Sequence, residues 1–256
     1  MSSQGGLVSL TVDLADRVAL VTGGAQGIGA GITEVLLEAG AVVHTCGRSE
    51  VTAREGTTHH VCDVRDAAAV GDLLAGIGRL DLLVNNAGGS PWGLAADTTP
   101  DRHRRIVELN LLSPLLVSQA AHAVMQTQET GGVIVNISSV SGVRPSPGTA
   151  AYGAAKAGLD HLTRSLAIEW GPQVRINSID VGMTNTPALE EFYGDPAKLD
   201  ALAQVVPAKR LATPRDVGQL VAFLASPLAS HLSGATIELH GGGEAGEFYR
   251  ELEEDQ

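Results

Sequence analysis

Apolar residues along the chain gather into short runs of four to six, separated mainly by segments long enough for helices. The runs occupy residues 17–21, 41–46, 59–62, 80–84, 133–137, 174–179 and 236–239. Each is too short for a helix and long enough for a strand, and most are rich in valine, leucine and isoleucine. Between the first two runs, apolar positions recur with helical spacing as far as Ala39. Strands alternating with helices predict βαβ units with right-handed crossovers. The expected fold class is therefore α/β, a doubly wound parallel sheet of about seven strands with helices on both faces. No linker, repeat or low-complexity block interrupts the pattern, so 1–256 reads as one domain. Residues 1–13 form an N-terminal extension and 244–256 an acidic tail. Residues 183–206 hold Pro187, Gly194 and Pro196 around few apolar side chains, with Pro207 just beyond, and read as a mobile substrate lid.

Charge and cysteine content narrow the function. Seventeen basic residues against 29 acidic ones give a net charge of −12, which repels a phosphate backbone, so no nucleic-acid partner is expected. Cys46 and Cys62 are too few for a disulfide scaffold or a thiolate metal cage and fit a reducing, cytoplasmic setting. No window reaches the roughly 18 apolar residues of a membrane span, and 1–13 lack a basic leader region. His59, His60 and Cys62 lie close together, but strand alternation sends His59 and His60 to opposite faces, so no metal site is expected.

Chemistry enters after the first strand. Thr22-Gly23-Gly24-Ala25-Gln26-Gly27-Ile28-Gly29 joins that strand to the first helix, where glycines permit a tight turn and let a pyrophosphate reach the helix N-terminus. A plain glycine-rich turn is the competing reading. The spacing TGxxxGxG, with Asn85-Asn86-Ala87-Gly88 after the fourth strand, resembles the short-chain dehydrogenase/reductase family. That resemblance implies a Rossmann-type sheet and a nicotinamide cofactor. It runs from residue 17 to about 243, including Pro207–Arg210, Ser233-Gly234 and Gly241-Gly242. Asp63 and the amide of Val64 then match the family's adenine contacts, although Asp63 suits a helix cap equally well, and Asn86, Ala87 and Gly88 match its ribose wall. About 20 residues beyond the glycines, Gly47 leaves room for a 2′-phosphate and Arg48 supplies charge for it, so NADP is expected over NAD. Arg54 lies near enough in the chain to help. Gln26 counts against NADP, because NADP-preferring members often carry a basic residue there.

Tyr152 and Lys156 are four residues apart, so a helix over 150–170 places both on one face. A nearby ammonium favours a phenolate, which suits tyrosine to proton transfer. Alone, this spacing is a common helical coincidence. The resemblance adds Ser139, thirteen residues earlier, to hold the substrate oxygen, with Ser138 on the other side of the strand. It also adds Asn110, whose backbone holds a water linking lysine to solvent. Gly182, Thr184 and Thr186 match the family's segment near the nicotinamide carboxamide, with Val181 in place of its usual proline.

The implied reaction is hydride transfer that interconverts a secondary alcohol and a ketone, with Tyr152 handling the proton and Lys156 holding the nicotinamide ribose and lowering the tyrosine pKa. Candidate substrate-lining residues are Ser90, Trp92, Ser141, Val143, Arg144, Leu189, Phe192 and Tyr193, which suggest a hydrophobic, steroid-like or acyl substrate. A dinucleotide sensor without turnover is the alternative; an extended-branch epimerase spaces its glycines differently. The family's assembly implies a homotetramer, with Leu166 and Trp170 near one interface and the tail, including Phe248 and Tyr249, near the other.

Overall fold

The computed structural model describes residues 11–243. The first ten residues and the tail 244–256, with the docking role expected of it, lie outside the described residues. Seven strands form one parallel sheet: β1 (Val18–Thr22), β2 (Val42–Gly47), β3 (Thr57–Val61), β4 (Leu82–Asn85), β5 (Gly132–Ser139), β6 (Val174–Val181) and β7 (Thr236–Leu239). Their order is β3-β2-β1-β4-β5-β6-β7, so the winding reverses between β1 and β4. A crevice at the carboxyl ends of strands at such a reversal is where open α/β sheets bind ligands.

The central runs lack polar alternation because both faces are covered. Val21, Val84, Val135 and Ile179 pack against α1 (Gly27–Glu38) and α8 (Pro214–Ala225). Their neighbours Leu20, Leu83, Ile134 and Ile176 point the other way, toward α2 (Ala67–Ile77), α4 (Ser113–Met125) and α5 (Ala150–Trp170). One polar seam crosses that second layer. Asn85 donates to Asn136 Oδ1 and Ser118 Oγ, both at 2.8 Å, and Asn136 donates to Thr163 Oγ1 on α5 at 2.9 Å. Buried amides tied in sequence fix how the sheet and two helices register, because an unpaired amide here would be costly.

All seven expected strands are present, with shifts at their ends. β3 begins at Thr57, two residues before the apolar run, because Thr57 and Thr58 pair with Val43 and His44 at the sheet edge, where polar side chains are tolerated. β5 and β6 run on to Ser139 and Val181, which pair with each other. His59 and His60 do face opposite ways: His59 Nδ1 lies 2.9 Å from Thr45 Oγ1, and His60 Nε2 lies 2.9 Å from His44 Nδ1. Among the described residues no group of three His, Cys, Asp or Glu side chains is placed to hold a metal, and no helix is long and apolar enough to cross a membrane.

The segment 183–206, expected as a lid, contains two helices, α6 (Pro187–Tyr193) and α7 (Pro196–Val205). One reading needs correction. Leu166 points into its own core at 5% exposure, so it is unavailable to a neighbouring subunit. Ile168, 85% exposed, is the apolar residue that α5 presents outward. Trp170 stacks on His122 with ring centroids 4.5 Å apart.

Candidate active site

At the crevice between β1 and β4, Thr22 ends β1 and its Oγ1 accepts hydrogen bonds from the amides of Asn86 and Ala87, both at 2.9 Å. The Asn86 side chain donates back to the carbonyls of Thr22 (2.9 Å) and Gly23 (3.2 Å). The two loops are thus bolted together before any ligand binds. Gly29 lies behind the loop, where a Cβ would come within 2.2 Å of the Gly23 carbonyl oxygen, so no other residue fits. Helix α1 opens at Gln26 without a side-chain cap, leaving its first amides free for an anion.

From this loop a cleft of about 920 Å³ runs along the carboxyl edge of the sheet. One end is lined by Gly47, Arg48, Asp63, Val64 and Arg65, and the other by Ser139, Tyr152, Lys156 and Gly182. Gly23, Gln26, Gly27, Ile28, Asn86, Ala87, Gly88 and Thr186 also line it. A groove of this size and length, with an open helix N-terminus midway, fits an extended dinucleotide. Asp63 is not a helix cap. Asp66 caps α2, accepting from the amides of Ala68 and Ala69 at 2.9 and 3.1 Å. The Arg65 guanidinium grips the Asp63 carboxylate at 2.9 and 3.2 Å and holds it down at about 2. Arg54 turns away from this end and pairs with Glu34 on α1 at 3.1 Å.

At the other end, α5 lifts Tyr152 and Lys156 against the end of β5. Lys156 is 4% exposed; its Nζ donates to the Ile137 carbonyl at 2.7 Å and sits 5.5 Å from the Tyr152 ring centroid. Burial pulls the Lys156 ammonium down to about 8, against the upward pull of Asp160 and Asp180. Burial pushes the Tyr152 phenol up, and the hydrogen bond with Ser139 draws it back. Ser139 thus eases ionisation of the phenol. Ser138 does face away from Ser139, and its hydroxyl donates to the Lys156 carbonyl at 3.3 Å.

Asn110 is fully buried in a π-helical segment, Glu108–Leu112, between α3 (Pro100–Val107) and α4. Its amide donates to Gly89 O at 2.9 Å and accepts from Gly89 N at 2.8 Å, which clamps the loop beside Lys156. A Cβ at Gly88 would meet Asn110 Oδ1 at 2.7 Å and Lys156 Nζ at 3.5 Å.

Some expected residues sit elsewhere. Ala25 is not in the cleft wall, and Thr184 is buried and bridged to Ala212. Ser90, Trp92, Ser141 and Leu189 do not line the cleft; the amide of Leu189 bonds Thr186 Oγ1, which caps α6. Val143 and Arg144 line a separate cavity of about 140 Å³ with Val140, Met183, Val206 and Gly182, the last shared with the main cleft. Phe192 and Tyr193 end α6, and their side chains lie outside the described residues. Arg65, Arg102, Arg105 and Leu109 line the cleft without having been read from sequence. The arginines carry no motif, and the packing of α3 against α5 and the π-helical segment brings Arg102 and Arg105 there.

A parallel sheet with a glycine loop at its reversal and a serine, tyrosine and lysine at one end of the cleft defines a nucleotide-binding oxidoreductase. Residues 23–244 match the family model described as enoyl-(acyl carrier protein) reductase. A tropinone reductase homolog of Arabidopsis thaliana is 34% identical over 245 residues, covering 90% of this chain and 91% of the relative. The aldohexose dehydrogenase of Thermoplasma acidophilum superposes with a TM-score of 0.85 at 31% identity, over 90% of this chain and 94% of that one. The Pseudomonas aeruginosa RhlG/NADP active-site complex gives 0.82 at 30% identity, over 90% and 97%. The chain belongs to the short-chain dehydrogenase/reductase family, whose members bind NAD(P) and act on small molecules.

Proposed function

We propose that this protein interconverts a secondary alcohol and a ketone on a hydrophobic small molecule, using NADP(H) in preference to NAD(H). The observation that carries the reading is the meeting of Ser139, Tyr152 and Lys156 at the end of a cleft whose far end holds Gly47 and Arg48. The open amides of α1 would hold the pyrophosphate, Arg48 the 2′-phosphate, and Asp63 and Val64 the adenine. When bound, the nicotinamide would supply the hydride chemistry that no side chain offers. Tyr152 Oη would pass a proton to or from the substrate oxygen, Ser139 Oγ would orient that oxygen, and Lys156 would hold the ribose. Asn110 keeps the loop at Gly88–Gly89 in place beside the ammonium. The separate, mainly apolar cavity of Val140, Val143, Met183 and Val206, which shares Gly182 with the cleft and has Arg144, Glu238 and His240 in its wall, supports a hydrophobic substrate, and α6 and α7 would cover it. One structural neighbour, the Pseudomonas aeruginosa RhlG/NADP complex, supports the same cofactor.

The test is a panel of secondary alcohols and ketones of graded polarity, assayed with both cofactors by nicotinamide absorbance, with Tyr152→Phe as control. Turnover of apolar members, faster with NADP(H) and lost in the variant, is expected. Cofactor binding without turnover of any member would replace this reading with that of a sensor.

A further inference from the structure

Behind the site, the face of β6 turned toward α5, and α5 itself, carry ionisable groups that the proposed reaction leaves unused. Asp180 on β6 sits between Ser138 of β5 and Glu238 of β7 in the sheet register. It is 0% exposed, and neither carboxylate oxygen has a well-formed hydrogen bond. Asp160 lies one helical turn beyond Lys156 on α5, is 4% exposed, and accepts from Ser178 Oγ at 2.6 Å. Three groups able to carry charge are thus packed out of water at the root of the catalytic helix, and an unpaired charge in such a place is strongly disfavoured. The groups that bear on Asp180 are Asp160 of α5, Ser138 of β5 and Glu238 of β7, and Lys156 of α5 feels both aspartates. Of these Lys156 is the positive one, and Glu238 is already paired with His240.

We propose that Asp180, together with Asp160, is a positioning residue that keeps the Lys156 ammonium protonated by supplying the buried negative charge that balances it. Burial and Asp160 push Asp180 well above the usual carboxylate range, so it ionises late. Its charge arrives as pH rises toward about 8, where burial, opposed by the two aspartates, holds the Lys156 ammonium. The role rests on the reading of Lys156 as acting in its charged form.

The chain contains three lysines, Lys156, Lys198 and Lys209, so protein labelled with carbon-13 at lysine Cε yields few signals and Lys156 can be titrated directly without cofactor. Asp180→Asn is expected to lower the Lys156 midpoint by about 1 pH unit and to move the alkaline limb of kcat down by the same amount. Asp180→Leu should do likewise. Should either variant fail to fold, Asp160→Asn gives the same reading from the other carboxyl. A folded variant with an unmoved Lys156 midpoint overturns the proposal, as does a limb that moves only with Leu, since that would be a packing effect. A midpoint that shifts in a protein turning over no alcohol or ketone supports the role of Asp180 and overturns the proposed reaction instead.

Discussion

At the scale of single residues, three side chains are expected to separate chemistry from binding. Tyr152→Phe keeps the ring against Lys156 but removes the hydroxyl, so kcat should fall ~100-fold or more while cofactor affinity persists. A titration followed by turnover assays checks both halves. Arg48→Ala should weaken NADPH about tenfold and leave NADH nearly unchanged, since only the former carries the 2′-phosphate. Isothermal titration of both cofactors decides it, and equal losses would remove Arg48 from the phosphate site. Tyr152 and Lys156 were legible as one helix face from their spacing, and Ser139 only through the family resemblance. Asp160 and Asp180 were not. They are 20 positions apart, and only the packing of α5 on β6 turns two unremarkable acids into one buried pair. Arg65 was missed for the opposite reason: it stands two residues from Asp63, where any solvated turn arginine would stand.

At the scale of elements, the lid shows how one signal can carry two meanings. Pro187 and Pro196 read as breaks, yet each follows a capping residue, Thr186 and Asp195, and occupies the first turn of a helix, where its missing amide costs nothing. Gly194 takes the left-handed conformation (φ 62°) that closes α6. Proline after Thr or Asp was therefore a start signal that could have been read from sequence. The same device is complete in α8, where Thr213 and Asp216 form a reciprocal capping box and Arg210 joins the carboxylate at 2.7 Å. Thr213→Ala is expected to cost about 1 kcal/mol, measurable by denaturant unfolding. The hydrogen bond from Arg210 holds Asp216 down at about 2, below its ordinary 3.8. A depressed native pKa contributes stability above the unfolded value, lost as pH falls through the native one. The stability difference between wild type and Asp216→Asn should therefore be full at neutral pH and vanish between roughly pH 4 and 2, as thermal scans across that window would register.

At the scale of the whole molecule, strand existence and order of appearance were readable throughout, while strand ends were not, because pairing with a neighbour rather than hydropathy decides where β3, β5 and β6 stop. The outer surface of α5 was misread at Leu166, since helical apolar positions do not announce which of two apolar faces turns inward. Ile168, at 85% exposure, marks the outward one. We expect a homotetramer built across this face, with a light-scattering mass near four times the 26.3 kDa chain, and Ile168→Glu to lower that mass. A wild-type mass equal to one chain would rule the assembly out.

The bolt between Thr22 and Asn86 has a consequence for time rather than affinity. Both loops that would receive the dinucleotide are tied to each other by the chain's own groups, through four hydrogen bonds of 2.9 to 3.2 Å. No segment there waits to be ordered on encounter, so capture has no slow folding step to await. Mixed rapidly with excess cofactor, the protein should give a single exponential whose rate climbs in proportion to concentration without reaching a plateau. Thr22→Ala, which removes the two hydrogen bonds accepted by Oγ1 and leaves the two from the Asn86 side chain, should bend that line toward a ceiling set by how fast the loosened loops settle.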